Sequence, residues 1–489
     1  MKILLTKLLL CLSFGFLYVL ETLGQQFPNI VFILADDLGY GSLNSYGASK
    51  DLIRTPHIDN LAEQGMRFTD AHTPASVCSP TRYGFITGQY PLRTRLQYGV
   101  INHHDPLLPD VNQVTIADWL KERGYNTAAI GKWHLGYGLG ETGRRTDFFT
   151  WSPGPLDLGF DYHFGVPNNH GDLFNVYIEN DQIYGLRTQR MHPYHRSFYN
   201  ARQFEGFDAP QRKDVEVMDD LVQKSVEWIR SQSKDKPFFL YFAAVAVHHP
   251  VTPSEYMRGM SDAGPYGDFI QDLDRSVGMI VEALAYKGFL DNTLIIFASD
   301  NGGDIPVNRT TSPEMQAVDL GLKINGDLRA DKHTIYEGGT RVPFIASWPG
   351  VIERNSVSHD LINVMDIFAT VCEITDGRLP EDKNIAPDSF SFLPSLLGEE
   401  NHHGRTSMVT SDVNGMLALR MGSWKYIDAA LPDAFPQQRR DNIQSTLFPQ
   451  LYNLDEDIGE QNNLYESNPD KAKQLKDELA RIRRATWTR

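Results

Sequence analysis

The sequence predicts an α/β protein built on a large mixed, mostly parallel β-sheet that helices cover on both faces. Short apolar runs alternate with segments of helical character, and continuous apolar strands are typical of a sheet buried on both sides. The 489 residues exceed what one small domain needs. We therefore expect one large domain and a smaller C-terminal part.

Four apolar runs predict the central strands, and polar residues follow each of them. The runs are 29–34, 127–130, 237–242 and 293–297. The residues that follow are Asp36 and Asp37, Lys132 and His134, His248, and Asp300 and Asn301. Sites in open α/β sheets form at the carboxyl ends of the strands, so we expect these side chains to share one pocket. The alternative, that strands must end in something polar, explains the four groups together less well.

Helical signals separate the apolar runs. Thr55 and Pro56 are typical of a helix start, and a second helix is predicted from about Thr115 to Gly124. Apolar residues between positions 269 and 284 mark one face of a longer amphipathic helix. The segment 140–213 is rich in Gly, Pro, His and aromatic residues with weak periodicity. We predict long loops over the pocket there.

The chain changes character from about residue 395 onward. Residues 416–427 predict an antiparallel hairpin, residues 450–454 precede a polar run, and residues 469–484 predict a solvated helix rich in Lys, Glu and Arg. We therefore predict a main domain over residues 25–395 and a small α+β subdomain over residues 396–489.

The first 24 residues have the layout of a secretory signal peptide. Lys2 and Lys7 precede the apolar run 8–20, and small residues lie before a plausible cleavage point ahead of Gln25. A buried N-terminal helix is the alternative. The run is short for a membrane span and no later segment approaches that length. We expect a protein exported to the periplasm or the exterior, or to a lysosome-like compartment in a eukaryote, without stable membrane insertion.

Charge and cysteine content narrow the classes of function. The net charge is −16 and no basic stripe is visible, which argues against nucleic-acid binding. An anionic substrate would then need a few cations in a pocket. Only Cys78 and Cys372 follow the signal peptide, and an exported protein that relied on disulfides would usually carry more. We predict no disulfide and place Cys372 in the core.

The most specific motif is the segment 78–82, which reads Cys-Ser-Pro-Thr-Arg. It resembles the Cys-x-Pro-x-Arg signature of the type I sulfatases, and Gly84, Thr87 and Gly88 match the longer form of that signature. The resemblance covers nearly the whole chain after the signal peptide, and is greatest to the arylsulfatase and N-acetylgalactosamine-6-sulfatase-like branches. It implies an alkaline-phosphatase-like fold, hydrolysis of a sulfate ester, and oxidation of Cys78 to Cα-formylglycine by a maturation enzyme. An ordinary buried cysteine before a helix is the alternative.

The resemblance implies a metal site made of four side chains and the modified Cys78. The four are Asp36, Asp37, Asp300 and Asn301. All of them offer oxygen, which suits a hard cation such as Ca²⁺. Three carboxylates close together would repel one another without a cation. For the first Asp pair alone, a turn after a strand is the alternative.

The resemblance also implies three cationic residues in the reaction. Arg82 and the metal would hold the formylglycine hydrate, in which one hydroxyl attacks sulfur and the other drives the later release of sulfate. Lys132 and Lys332 would bind the sulfate oxygens. The chain departs from many relatives at Asp331, where they have glycine before the second lysine, and this puts the contribution of Lys332 in doubt.

Two histidines would transfer protons. His248 would protonate the leaving oxygen as general acid, and His134 would remove the proton from the second hydroxyl. The family pattern at the first of these places is His-x-Pro, which the segment 248–250 matches. His249 is the alternative general acid.

Loop residues favour a sulfated carbohydrate as substrate, of glycosaminoglycan, mucin-type or algal origin. His103, His104 and His170 are the predicted substrate contacts, because His, Asn and aromatic residues on loops suit sugar hydroxyls and ring faces. Two alternatives remain: a phosphate or phosphonate monoester hydrolase of the same superfold, and a silent binder of sulfated glycans. The complete signature and the filled ligand positions favour the sulfatase.

Overall fold

The computed structural model describes residues 27–140, 147–194, 204–399, 404–443 and 447–489. A ten-stranded mixed sheet forms the main body, and a four-stranded antiparallel sheet lies in the C-terminal part. The predicted fold class, a large and mostly parallel sheet with a small C-terminal sheet, is confirmed. The predicted signal peptide, residues 1–24, lies outside the described residues.

The strands vary from two to seven residues. In chain order they are β1 (Asn29–Ala35), β2 (Met66–Phe68), β3 (Ala71–His72), β4 (Asn126–Lys132), β5 (Tyr162–Val166), β6 (Ile178–Glu179), β7 (Gln182–Ile183), β8 (Thr188–Tyr194), β9 (Phe204–Asp208), β10 (Phe238–Ala243), β11 (Thr293–Ser299), β12 (Phe344–Ser347), β13 (Ser356–Ser358), β14 (Ile362–Asn363), β15 (Ser407–Ser411), β16 (Leu417–Met421), β17 (Trp424–Ile427) and β18 (Gln450–Asn453).

The helices in the described residues are mostly short, and three of them are long. In chain order they are α1 (Pro56–Glu63), α2 (Cys78–Thr87), α3 (Ile116–Glu122), α4 (Val217–Ser231), α5 (Gly264–Lys287), α6 (Pro313–Asp319), α7 (Glu337–Thr340), α8 (Asp366–Asp376), α9 (Leu393–Leu396), α10 (Gln437–Ile443) and α11 (Pro469–Arg484).

The order of strands brings four carboxyl ends to one edge of the large sheet. That order is β13-β2-β12-β11-β1-β10-β4-β5-β6-β7. The five central strands, from β11 to β5, run parallel to one another. β12 and β6 join this block antiparallel on its two sides. The segments after β1, β4, β10 and β11 therefore leave the sheet at the same edge.

Alternate side chains of β1 enter two hydrophobic cores on opposite faces of the sheet. Ile30, Phe32 and Leu34 belong to a core that also contains residues of α2, α3 and α8. Val31 and Ile33 belong to a core that contains residues of α1, α4 and α5. All of β1 is buried. A polar side chain would be desolvated on either face, which explains why every residue of β1 after Asn29 is apolar.

The predicted helices begin close to their expected positions. Thr55 precedes α1, but its hydroxyl bonds the side chain of Asn44 at 3.3 Å instead of capping the helix. Thr115 does cap α3, because its hydroxyl accepts from the amide of Asp118 at 3.0 Å and Asp118 accepts from the Thr115 amide at 3.1 Å. The long amphipathic helix is α5, which extends beyond the predicted apolar face at both ends.

The segment 140–213 contains more regular structure than the predicted long loops. Its described residues include β5 to β9. β5 extends the parallel block beside β4, and β8 pairs with β9 in a separate antiparallel ribbon. Several of these strands are too short to show the alternation of apolar and polar residues from which a strand is predicted.

The final helix is also more buried than predicted. α11 was expected to be solvated because of its Lys, Glu and Arg content, but Ala472, Leu475, Leu479 and Ile482 form one buried face. They pack with residues of β15 to β18 in the core of the small sheet. The spacing of these four residues fits one side of a helix, and the charged residues occupy the other. The predicted boundary between residues 395 and 396 stays a prediction.

Both cysteines in the described residues are buried as free thiols. Cys372 lies in α8 within one of the two large cores, as predicted. Among the described residues, no helix has both the length and the apolar character that crossing a bilayer requires.

A buried ion network connects the main body to the small sheet. Lys425 on β17 lies 2.9 Å from Glu337 of α7 and 2.9 Å from Glu460. Glu460 in turn accepts a hydrogen bond from the backbone amide of Glu337 at 2.7 Å. Burial raises the pKa of Glu337, but Lys425, His72 and Arg341 outweigh that effect and hold it well below its usual value. Lys425 is the cation beside Glu460, and Glu337 is paired with both Lys425 and Arg341, whose Nη1 lies 3.3 Å from Glu337 Oε2.

We predict that Lys425→Met lowers the free energy of unfolding by about 3–5 kcal/mol, because it leaves the buried carboxylate of Glu460 without its cation and removes one of the cations beside Glu337. Urea denaturation followed by fluorescence measures the change. Lys473→Met is the matched control: Lys473 is 75% exposed and pairs with Asp477 on the surface of α11, so its loss should leave the free energy of unfolding nearly unchanged. Equal stability of the two variants would contradict the role of the network.

Candidate active site

The polar residues that follow the central strands meet in one cluster, as the strand order requires. Asp36 and Asp37 follow β1, Asp300 and Asn301 follow β11, and Lys132 ends β4. The register aligns Ala35 of β1 with Ser299 of β11, so both acidic pairs leave the sheet at the same level. The backbone amide of Asp37 donates to Asp300 Oδ1 at 3.1 Å.

Gly131 permits the close strand packing that places Lys132. Its φ is +123°, and a Cβ there would lie 1.8 Å from the carbonyl oxygen of Ala243 on β10. A larger residue would therefore force β4 and β10 apart immediately before the lysine.

Four groups could hold a cation together. Ligand atoms of Asp36, Asp37, Cys78 and Asp300 all lie within 4.8 Å of one another and are buried. Asn301 donates its Nδ2 to Asp37 Oδ1 at 2.8 Å. Its own Oδ1 is buried and has no hydrogen-bond partner among the described residues.

Three cations face the three carboxylates. Lys132 Nζ lies 2.7 and 2.9 Å from the two oxygens of Asp36, and Lys332 Nζ lies 2.6 Å from Asp37 Oδ2. The third is Arg82, which is fully buried and donates twice to Asp300 Oδ2, at 2.7 and 3.1 Å. The formal charges of these six side chains cancel.

The electrostatics reflect this crowding. Burial raises the pKa of Asp36 above its ordinary value, and Lys132 only partly opposes that effect. Burial also acts to raise the pKa of Asp37, but Lys332 and Lys132 reverse this and lower it. Burial disfavours the charge of Lys332, yet Asp37 holds its pKa well above the usual range.

The donor set fits a hard divalent cation. It consists of three carboxylates and one amide oxygen, and that amide oxygen, Asn301 Oδ1, has no hydrogen-bond partner in the part of the chain that the structure describes. Ca²⁺ prefers such oxygen ligands. Asp36, Asp37, Asp300 and Asn301 would hold the ion, with the side chain at position 78 beside them.

Cys78 is the first residue of α2, a helix whose ten residues are all buried. Burial raises the pKa of its thiol to about 12, against the opposing effect of Lys132 and Lys332. A neutral thiol is a poor nucleophile, so the unmodified side chain has little reactivity in these surroundings. The neighbouring Ser79 accepts from the amide of Ile101 at 3.1 Å.

The two predicted proton-transfer histidines border the cluster. His134 Nε2 lies 3.0 Å from the carbonyl oxygen of Ile101, and His248 Nε2 lies 3.7 Å from Asp37 Oδ2. The pKa of both rings lies well below the usual value for histidine. Burial is the main cause, and the nearby lysines lower the pKa further. His249 lies next to His248, with its side chain 16% exposed and 3.7 Å from Asp304.

Backbone strain also concentrates here. Asp37, His134 and His333 adopt φ values of 60°, 55° and 75°, in the left-handed region that non-glycine residues rarely occupy. Such conformations persist where the surrounding structure imposes them, and they are frequent at functional sites.

The three predicted substrate histidines have different surroundings. His103 and His104 are partly buried and their rings lie 4.1 Å apart, against Phe174 and Phe148 respectively. His170 is fully buried, and its Nε2 lies 2.8 Å from the carbonyl oxygen of Pro250. It thus supports the segment that carries His248. Substrate contact by the three residues stays a prediction.

Sequence reasoning missed two buried groups at the site. Tyr241 on β10 is 1% exposed and influences the pKa of Arg82, but its position inside an apolar run gave no signal. Asp304 is 6% exposed and pairs with His249. Its place three residues after Asn301 is the signal in the sequence that points to it.

We predict that Ca²⁺ raises the melting temperature of the protein and that a chelator reverses the rise, since a ligand that binds only the folded state stabilises it. Asn301→Ala removes one ligand oxygen without changing the charge of the site. It should lower the affinity for Ca²⁺ at least about tenfold, because even residues that only hydrogen-bond to metal ligands contribute that much. Asn384→Ala, on the surface beside Asp382, is the control. Identical calcium responses in both variants would contradict the assigned ligands.

Comparisons with known proteins agree with this geometry. Residues 28–377 match the family model described as Sulfatase. An N-acetylgalactosamine-6-O-sulfatase of Bacteroides thetaiotaomicron is 34% identical over 492 residues, with 94% of each chain covered. Human arylsulfatase A is 31% identical over 466 residues, covering 89% of this chain and 83% of that protein.

The fold comparison agrees as well. A solved Bacteroides thetaiotaomicron structure, from work on the metabolism of multiple glycosaminoglycans, has a TM-score of 0.83 and 33% identity, covering 94% of this chain and all of the other. The predicted family and fold are thereby confirmed. This chain is a member of the sulfatase family and has its alkaline-phosphatase-like fold.

Proposed function

We propose that this sulfatase removes sulfate from a carbohydrate of the glycosaminoglycan type, with Cys78 converted to formylglycine and Ca²⁺ beside it. The observation that carries the proposal is the buried cluster of three carboxylates and three cations around position 78. Relatives named N-acetylgalactosamine-6-sulfatase support the class of substrate.

The charge of the cluster suits a sulfate ester. Because the charges of the six side chains cancel, a divalent cation would leave two positive charges among buried side chains. The anionic ester and the sulfate product supply the compensating charge. Lys132 and Lys332 would then contact sulfate oxygens, and the charge that develops on them in the transition state would be stabilised by groups already in place.

The modified residue would supply the nucleophile. A hydrated aldehyde at position 78 offers one hydroxyl for attack on sulfur and a second for release of sulfate. Arg82 binds Asp300 and the carbonyl oxygen of Lys132, at 2.8 Å for the latter, and so fixes the wall of the site next to α2. The bound cation would add Lewis-acid stabilisation of negative charge.

The histidines would move the protons. His134 is held through Nε2 by the carbonyl of Ile101, which leaves Nδ1 as the atom that can take a proton. His248 would protonate the leaving oxygen. Both lysines lower the pKa of His248, and an anionic ester bound between them opposes that effect. The ring would therefore gain its proton together with the substrate.

Export and maturation are part of the proposal. The residues before position 25 would direct the chain out of the cytoplasm, where it would meet sulfated glycans. A formylglycine-generating enzyme would act on the segment 78–82. Without that step position 78 remains a thiol, and the hydrate cannot form.

We predict that the peptide containing Cys78, from protein made in its own host, is about 18 Da lighter than the cysteine form. The same preparation should release sulfate from N-acetylgalactosamine 6-sulfate, and Cys78→Ala should release none. Peptide mass spectrometry and ion chromatography measure the two results. Unmodified cysteine without sulfate release would reject the proposal. Hydrolysis of phosphate or phosphonate esters would then support a phosphate or phosphonate monoester hydrolase. Sugar binding without turnover would support a silent binder of sulfated glycans.

We predict that His248→Ala lowers kcat about 10²- to 10⁴-fold for phenyl sulfate and much less for 4-nitrophenyl sulfate, because a good leaving group needs no proton. Steady-state kinetics of both esters test this. His249→Ala is the matched variant and should affect the two esters alike. If the dependence on the leaving group appears in His249→Ala instead, the general acid is His249.

A further inference from the structure

Asp304 is a buried carboxylate beside the reaction centre that the proposed mechanism does not use. It follows Asn301 after two glycines, and its side chain is 8% exposed. Its Oδ2 atom has no hydrogen-bond partner among the described residues. A buried acceptor without a partner costs free energy, so its presence calls for a ligand or a function.

The Oδ2 atom of Asp304, which makes no hydrogen bond among the described residues, faces the imidazole of His249 next to the reaction centre. Oδ2 lies 3.7 Å from His249 Nδ1. Ligand atoms of His249, His248 and Asp37 all lie within 4.8 Å of one another. Asp304 is therefore separated from the Asp37–Lys332 ion pair by one imidazole ring.

A carboxylate at this place selects the chemistry of what it contacts. It repels the sulfate group, whose charge Lys132, Lys332 and Arg82 would offset. It accepts hydrogen bonds from neutral donors, and a hydroxyl group of a sugar is such a donor. An aryl sulfate without hydroxyl groups leaves the oxygen unsatisfied.

We propose that Asp304 accepts a hydrogen bond from a hydroxyl of the sugar ring that carries the sulfate ester, and so selects sugar sulfates over aryl sulfates. The inference rests on the proposed function and names a residue that determines specificity within it. The competing account is that Asp304 acts only through the charge of Lys332, in which case every sulfate ester is affected equally.

The test compares kcat/KM for N-acetylgalactosamine 6-sulfate and for 4-nitrophenyl sulfate. In Asp304→Ala the value for the sugar ester should fall about 10- to 100-fold more than the value for the aryl ester, as expected for a hydrogen bond to a charged group. Asp304→Asn, which keeps an acceptor, should recover part of the difference. A ratio equal to that of the unmodified sequence overturns the inference.

Asp331→Asn is the matched control. Asp331 accepts from the amide of Ile305 at 3.1 Å, a bond that an asparagine oxygen can also accept. The ratio between the two esters should therefore stay unchanged. A shift of the ratio in this variant as large as that in Asp304→Ala overturns the assignment to Asp304.

Binding without turnover gives a second readout. In a Cys78→Ser background, calorimetry measures Kd for N-acetylgalactosamine 6-sulfate and for inorganic sulfate. Adding Asp304→Ala should weaken the sugar ester about tenfold more than inorganic sulfate. Equal weakening of both overturns the inference. Absence of sulfate release by the unaltered enzyme rejects the proposed function instead, so the two failures are distinct.

Discussion

The burial of three carboxylates directly opposite three cations is the interaction on which the architecture of this protein depends. Asp36, Asp37 and Asp300 have no solvent to offset their charge, and each is paired with one cation. An ion pair in such surroundings is favourable only when its geometry is right, because desolvation opposes it. The parallel strands and their two apolar cores supply the rigidity that this geometry needs.

The same balance recurs where the small sheet meets the main body. Asp70, Glu337 and Glu460 face Arg341, Arg420 and Lys425, again three acids and three bases. The two clusters are linked through one short segment, since Lys332 belongs to the first and Glu337 to the second. The C-terminal sheet therefore helps to fix the position of Lys332, through contacts made in the second cluster.

Features that depend on neighbouring residues could be predicted from the sequence. Features that depend on contacts between segments far apart in the chain could not. The apolar runs predicted the central strands, and the signature at 78–82 with the acidic pairs predicted the cluster. Asp304 was not predicted even though it follows Asn301 closely, because its contact with His249 joins two segments that are far apart in the sequence. The buried face of α11 was not predicted, because charged residues separate its four apolar residues in the sequence. Only the structure shows that these four residues pack against the small sheet.

The complete burial of α2 affects the order in which the protein can be modified and folded. Cys78 is 2% exposed and every residue of its helix is covered. A maturation enzyme of the kind proposed above would need access to the thiol, which the folded protein does not offer. The proposed oxidation of Cys78 would therefore have to precede folding. A molecule that folded first would keep a buried thiol at position 78 and would stay inactive.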